Sequence, residues 1–236
     1  MSESHNPPPV RGEFPLQVAM PWRLDGPDDP ALPLVVCLHG MGMDEDQFSL
    51  LLQGLTKTPA RLLVPRAPYP VEVRREGRIG ASWYAYDGDQ ERFRRELDRT
   101  QGLVTDLVTT VEAEQRLKPR ARFLLGFSQG GYCGAYLAMR NQDLFRGMII
   151  SGARVKTEFL LDEMKQAAGT GFSALLMHGD RDRSVSGERQ ETARQRMAEA
   201  GMDVELRTFD AGHSLGRAQV AVAREWVASR TGGGAA

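Results

Sequence analysis

Arg122-Phe123-Leu124-Leu125-Gly126-Phe127-Ser128-Gln129-Gly130-Gly131-Tyr132-Cys133-Gly134-Ala135 runs from an apolar, β-rich stretch straight into a glycine-rich helical pattern. Its centre, Gly126 to Gly130, fits G-x-S-x-G. With a strand before and a helix after, this spacing calls for a tight strand-to-helix turn that strains the serine backbone. Gly126 and Gly130 leave space where a Cβ would collide with the neighbouring strand and helix. Ser128 then projects its hydroxyl at the carboxyl edge of a sheet, beside the positive end of a helix. Gly171-Phe172-Ser173 repeats the first three letters. It lacks the second glycine and precedes a strand, so Ser173 reads as a loop residue.

Outward from this turn, short apolar runs alternate with helical patterns. Strands are expected over 34–38, 61–64, 122–127, 147–150, 174–177 and 204–209. The continuous apolar run Leu34-Val35-Val36-Cys37-Leu38 suits a strand covered on both faces. Helices are expected over 91–117, 129–140 and 187–200, with a last one reaching about residue 229. In the first, Phe93, Leu97, Val104, Leu107, Val108 and Val111 recur on one face, and Pro119 marks its end. Strands alternating with helices imply an α/β domain with a mostly parallel sheet and helices on both faces. Residues 13–23 are expected to add one or two antiparallel edge strands. One domain over 13–230 is expected, with a disordered arm at 1–12 and a flexible tail at 231–236.

Composition narrows the function classes. The 236 residues are 41% hydrophobic, enough for a sizeable core. Thirty basic residues against 31 acidic ones leave a net charge of −1, so no global field recruits nucleic acid. The apolar runs are too short to span a bilayer, and no membrane insertion is expected. The start, MSESHNPPPVRGEF, has no basic segment followed by an apolar one, so a secretory signal is not expected. Two cysteines, Cys37 and Cys133, make no disulfide framework. They read as buried thiols in a reducing cytoplasm. Four histidines without a CxxC pair exclude a zinc ribbon, and neither metal nor cofactor is expected.

A serine hydroxyl needs a base to become a nucleophile. The histidines are His5, His39, His178 and His213. His5 falls in the arm. His39 and His178 each end a strand and precede glycine, a setting in which backbone groups satisfy the ring. His213, in Asp210-Ala211-Gly212-His213-Ser214, follows the last strand, where the chain order Ser, Asp, His puts the base. The acid belongs in His178-Gly179-Asp180-Arg181-Asp182-Arg183-Ser184-Val185. Asp182 fits H-G-x-x-D-x-x-V, and Asp180, the alternative, suits a turn-stabilising role. Backbone N–H groups must also face the developing oxyanion. One belongs to Gln129, after the nucleophile. The other belongs to the loop His39-Gly40-Met41-Gly42, with Met41 as donor.

Taken together, LHGMGMDEDQF, GFSQGGYCGAYLAM, HGDRDRSV and AGHSL resemble the phospholipase/carboxylesterase family of α/β-hydrolases, which includes acyl-protein thioesterases and small bacterial carboxylesterases. The resemblance covers about residues 30–228. It implies a single-domain α/β-hydrolase fold without a cap domain, a Ser128–Asp182–His213 triad and an oxyanion hole of Met41 and Gln129. It also puts a Trp-bearing loop near the site, which makes Trp83 a candidate wall for the substrate, with a packed core aromatic as the alternative. Ser186 stands where the family usually carries Pro. Arg74, Arg75 and Arg78 lie in a charged, glycine-bearing loop over 72–78. They read as a solvated face, with a receptor for an anionic substrate as the alternative.

The expected activity is hydrolysis of a small ester, with thioesters and lysophospholipids as related substrates, by a monomer or homodimer. The alternatives are a non-catalytic binding protein on a hydrolase scaffold, and a peptidase or lactone hydrolase with the same triad. Between the strands at 147–150 and 174–177 there is room for one short helix, about 157–168, and not for a lid. An open cleft walled by the loops of Met41 and Trp83 is therefore expected.

Overall fold

The computed structural model describes residues 12, 18–57 and 59–231. The expected arm and tail lie outside the described residues, apart from Gly12 and Thr231. Thr231, expected in the tail, is instead the last residue of the last helix.

Seven strands form the main sheet: β1 (Trp22–Asp25), β2 (Leu34–Leu38), β3 (Arg61–Pro65), β6 (Arg122–Phe127), β7 (Gly147–Ser151), β8 (Ser173–Gly179) and β9 (Asp203–Phe209). Their order is β1-β3-β2-β6-β7-β8-β9. Only β1 is antiparallel, an edge strand paired with β3; it overlaps the expected span 13–23 only at residues 22 and 23, and 13–17 lie outside the described residues. Two further strands, β4 (Tyr69–Val73) and β5 (Arg78–Ser82), form a separate antiparallel hairpin. The described residues hold six α-helices, five between strands and one after the last: α1 (Glu45–Leu51), α2 (Gln90–Glu114), α3 (Gln129–Arg140), α4 (Leu161–Thr170), α5 (Gly187–Glu199) and α6 (Arg217–Thr231).

The pleat explains why β2 is apolar throughout. Leu34, Val36 and Leu38 face one core, together with Val104 of α2, Tyr136 of α3, Met164 of α4 and Met197 of α5. Val35 and Cys37 face the other, with Phe48 of α1 and Val220 and Trp226 of α6. Both faces are thus covered by helices, which is the condition for a parallel sheet.

Local signals set the helix ends. The Asp89 carboxylate accepts the Arg92 N–H at 2.8 Å and caps α2. The helix stops at Glu114, three residues before the expected end. Arg116 turns left-handed with φ 54°, and Leu117 N–H returns to Glu112 O at 2.8 Å, so the turn ends it well ahead of Pro119. The loop expected over 72–78 is the end of β4, a single 3₁₀ turn and the start of β5. Ser173 is the first residue of β8, buried, with its hydroxyl accepting from Arg230 Nε at 2.9 Å. No helix among the described residues is long and apolar enough to cross a membrane.

From β2 the chain first builds outward through β3, then crosses to β6 on the other side of β2. The strand order therefore reverses between β2 and β6. In open α/β sheets, the crevice at the carboxyl ends of such strands is where ligands bind.

Candidate active site

Ser128 sits at that crevice, on the turn joining β6 to α3. Its backbone has φ 52° and ψ −120°, a conformation costly for any residue with a Cβ. Two glycines make the turn feasible. A Cβ on Gly126 would lie 2.4 Å from Gly130 O, and one on Gly130 would lie 2.2 Å from Leu38 O. The spacing of G-x-S-x-G thus records the close passage of α3 across β6 and β2. The turn is held by Ser128 N–H donating to Ser151 O at 2.9 Å, and by Gly130 N–H donating to His39 O at 3.1 Å.

His213 reaches this serine from the loop after β9. Its Nε2 lies 2.8 Å from Ser128 Oγ, and its Nδ1 lies 2.8 Å from Asp182 Oδ2. A carboxylate only accepts, so Nδ1 carries the proton and Nε2 is left to accept from the serine hydroxyl. Phe127 flanks the imidazole with ring centroids 5.4 Å apart. Asp182 is almost wholly shielded, its side chain 1% exposed. Burial pushes its carboxyl up. The bonds from His213 and from Val185 N–H at 3.0 Å and Ser184 N–H at 2.7 Å outweigh that, leaving it below the ordinary carboxylate range.

The other candidates are placed elsewhere. Asp180 is half exposed and accepts Ala211 N–H at 3.2 Å, tying together the two loops that carry Asp182 and His213. His39 is fully buried. Ala67 N–H donates to its Nε2 at 3.0 Å and its Nδ1 faces Gly40 O at 2.8 Å, so backbone satisfies the ring as expected. Burial also pushes its imidazole below its ordinary value, which keeps it neutral. His178 departs from expectation: it is buried, but its Nδ1 has no partner among the described residues.

At the crevice, neither the N–H of Met41, in the turn after β2, nor that of Gln129, at the start of α3, has an acceptor among the described residues. They sit on the two loops that follow β2 and β6, the pair flanking the crevice. The Met41 side chain is 63% exposed at its mouth.

A cleft of about 790 Å³ opens beside Ser128, lined among others by Met41, Tyr69, Tyr84, Tyr86 and Tyr132. Trp83 does not wall it. Its side chain is wholly buried, its indole N–H donates to His39 O at 2.8 Å, and its ring lies against His39 at 5.1 Å between centroids. The tryptophan supports the loop from beneath, and its neighbours Tyr84 and Tyr86 face the cleft. Sequence reasoning found this segment but chose the wrong aromatic. Burial of the most apolar ring is the signal that would have reversed the choice. Tyr132 was missed. It lies four residues after Ser128, one helical turn further along α3.

The sequence model of the phospholipase/carboxylesterase family matches residues 23–230. Among solved structures, the Bacillus cereus carboxylesterase is similar with a TM-score of 0.74 and 18% identity, over 89% of this chain and 94% of that one. Zea mays acyl-protein thioesterase 2 is similar with a TM-score of 0.72 and 18% identity, over 90% of this chain and 99% of that one. At such identities the likeness is one of fold. A shorter stretch of 95 residues, 39% of this chain and 81% of the other, is 37% identical to a Renibacterium salmoninarum protein described as a holo-[acyl-carrier-protein] synthase.

Proposed function

This chain belongs to the phospholipase/carboxylesterase family of hydrolases, and from that premise we propose that it is a serine esterase working through an acyl-enzyme with Ser128, His213 and Asp182 as its triad. The observation that carries the reading is the unbroken relay of two 2.8 Å hydrogen bonds from Asp182 through His213 to Ser128. It lies where the strand order reverses, with two unspent N–H donors alongside.

The chemistry follows from the proton inventory. Ser128 Oγ attacks the substrate carbonyl carbon as His213 Nε2 takes the hydroxyl proton. The ionised Asp182 stabilises the imidazolium and holds its tautomer. The carbonyl oxygen becomes an oxyanion and takes hydrogen bonds from Met41 and Gln129 N–H, donors worth roughly 3–4 kcal/mol each in well-studied cases. Collapse breaks the ester bond, and His213 returns the proton to the departing alcohol or thiol. Water then attacks the acyl carbon, His213 takes its proton, and the acid leaves with Ser128 restored. No step requires a metal or cofactor.

The cleft's tyrosines and Met41 suit an apolar acyl or alcohol group, and ester and thioester substrates share this chemistry. Cys37 and Cys133 are both free and buried, which fits a reducing cytoplasm.

The test is labelling by a fluorophosphonate with hydrolysis of short aryl esters. Labelling should map to Ser128, and Ser128→Ala should lose roughly 10⁴-fold or more in kcat/KM while keeping its thermal midpoint. A folded protein that is neither labelled nor active would identify a binding protein on a hydrolase scaffold and overturn the proposal.

A further inference from the structure

The charged hairpin expected to be a solvated face carries an interaction that bears on the oxyanion site. Arg78, at the start of β5, donates through Nη1 to Gly42 O at 2.6 Å, and its Nε is held by Glu76 Oε2 at 2.6 Å. Gly42 is the residue after Met41. Its own N–H donates to Ala81 O at 2.8 Å, and Ala81 N–H donates back to Met43 O at 3.0 Å. The turn is closed by Met43 N–H donating to Gly40 O at 3.2 Å. The two amides after Met41 are thus committed, and three of the four bonds come from one strand.

The approach is as close as backbone permits. A Cβ on Gly80 would lie 2.0 Å from Gly42 O and 2.4 Å from Gly42 C. Gly42 has φ 81°, which glycine adopts without a steric penalty, so what fixes where the turn sits is this set of contacts with β5. The exit of the same strand holds the second donor's residue. Gln129 Nε2 donates to Ser82 Oγ at 2.8 Å and to Tyr84 O at 2.9 Å, and its Oε1 accepts Trp83 N–H at 2.9 Å.

We propose that β5 is the strut that fixes the spacing of the two oxyanion donors, with Arg78 and Gly80 as positioning residues for the Met41 amide. This rests on the triad reading above. The physical reason is that donors must be aimed where the oxyanion will be, and small misplacement is expensive. Arg78 touches no reacting atom. It acts by holding Gly42 O, and through it the peptide chain that carries Met41 N–H.

The experiment compares Arg78→Gln, Arg78→Lys and Gly80→Ala with the unaltered protein. It measures kcat and KM on a short aryl ester, the Ki of a trifluoromethyl ketone of matching chain length, and the thermal midpoint. The ketone forms a tetrahedral adduct on Ser128 whose oxyanion needs both donors. Arg78→Gln should lower kcat about 10-fold and raise Ki by the same factor, with KM within about twofold, because only the transition state loses. Arg78→Lys, which still donates one bond, should recover most of both. Gly80→Ala should be worse, at about 100-fold. Arg78 is partly exposed, so its variants should keep their thermal midpoints. An Arg78→Gln protein with unchanged kcat and Ki, or one that loses kcat with Ki unmoved, overturns the strut. If the unaltered protein shows neither turnover nor labelling at Ser128, the triad reading fails instead.

Discussion

Asp180 and Asp182 stand on one loop, and their surroundings separate their roles. Asp182 is shielded and receives three hydrogen bonds, one of them from the imidazole. Asp180 is half exposed and receives one from backbone. Asp182→Asn is expected to lose roughly 10⁴-fold in kcat, since the amide favours the wrong imidazole tautomer. Asp180→Asn should lose far less, and the reverse order would reassign the acid. The same substitution has a pH signature. The folded carboxyl of Asp182 is depressed, so its stabilising contribution is present above the unfolded carboxylate range and is lost as pH falls through the folded value. Asp182→Asn should therefore flatten part of the drop in thermal midpoint between neutral pH and about pH 3. Trp83 gives a second contrast. Trp83→Phe deletes one of the two donors to His39 O, the Gly130 N–H remaining, and should cost about 0.5–1.5 kcal/mol in denaturant titration, leaving KM on a short ester unchanged. A large KM change with stability intact would return the indole to the cleft wall.

At the scale of elements, α5 begins at Gly187, with Ser186 as its N-cap. Ser186 has φ −71°, makes no side-chain cap bond, and its N–H has no acceptor among the described residues. A proline there matches the backbone and forfeits no bond, so Ser186→Pro should stabilise by about 0.4–1 kcal/mol, read as a small rise in thermal midpoint. The elements that sequence made legible share a reason. Strands such as β2 and β6 are buried on both faces, so their apolar runs are unmixed. The face of α2 repeats over 25 residues, long enough for the period to stand out. What escaped was short or two-sided. Helix α1 has seven residues and is announced only by Asp44 capping Gln47 N–H, with acidic residues in its first turn. Strand β4, Tyr-Pro-Val-Glu-Val, has no fully buried residue, and its partner β5 opens on arginine. β5 pairs with β4, Gly80 standing opposite Val71, and also with the turn after β2, a tertiary fact that composition does not encode. The site follows the same rule. Ser128, Asp182 and His213 lie in local patterns with fixed spacing, whereas Arg78 matters only because a distant turn packs on it.

At the scale of the whole molecule, access to Ser128 is decided by what lies between β7 and β8. That crossover holds one 3₁₀ turn, Thr157–Phe159, and the helix α4. Met164 and Ala167 of α4 are buried in the core beside α3, so the helix is anchored and not free to swing. No residue from 152 to 172 lines the cleft. Its walls come instead from the turn of Met41, the hairpin, the segment carrying Tyr84 and Tyr86, Tyr132 of α3, and Arg92, Glu96 and Arg99 of α2. Ser128 remains partly exposed, and Met41 stands out at the mouth. Among the described residues no separate lid covers Ser128, so a lipid interface has nothing there to open. The rate with a short-chain ester should therefore rise hyperbolically with monomer concentration and pass through the critical micelle concentration without a step. Measuring initial rates across that concentration, with chain length varied, checks it. A sharp increase on micelle formation would mean that a covering segment moves over Ser128, and would defeat the open-cleft account.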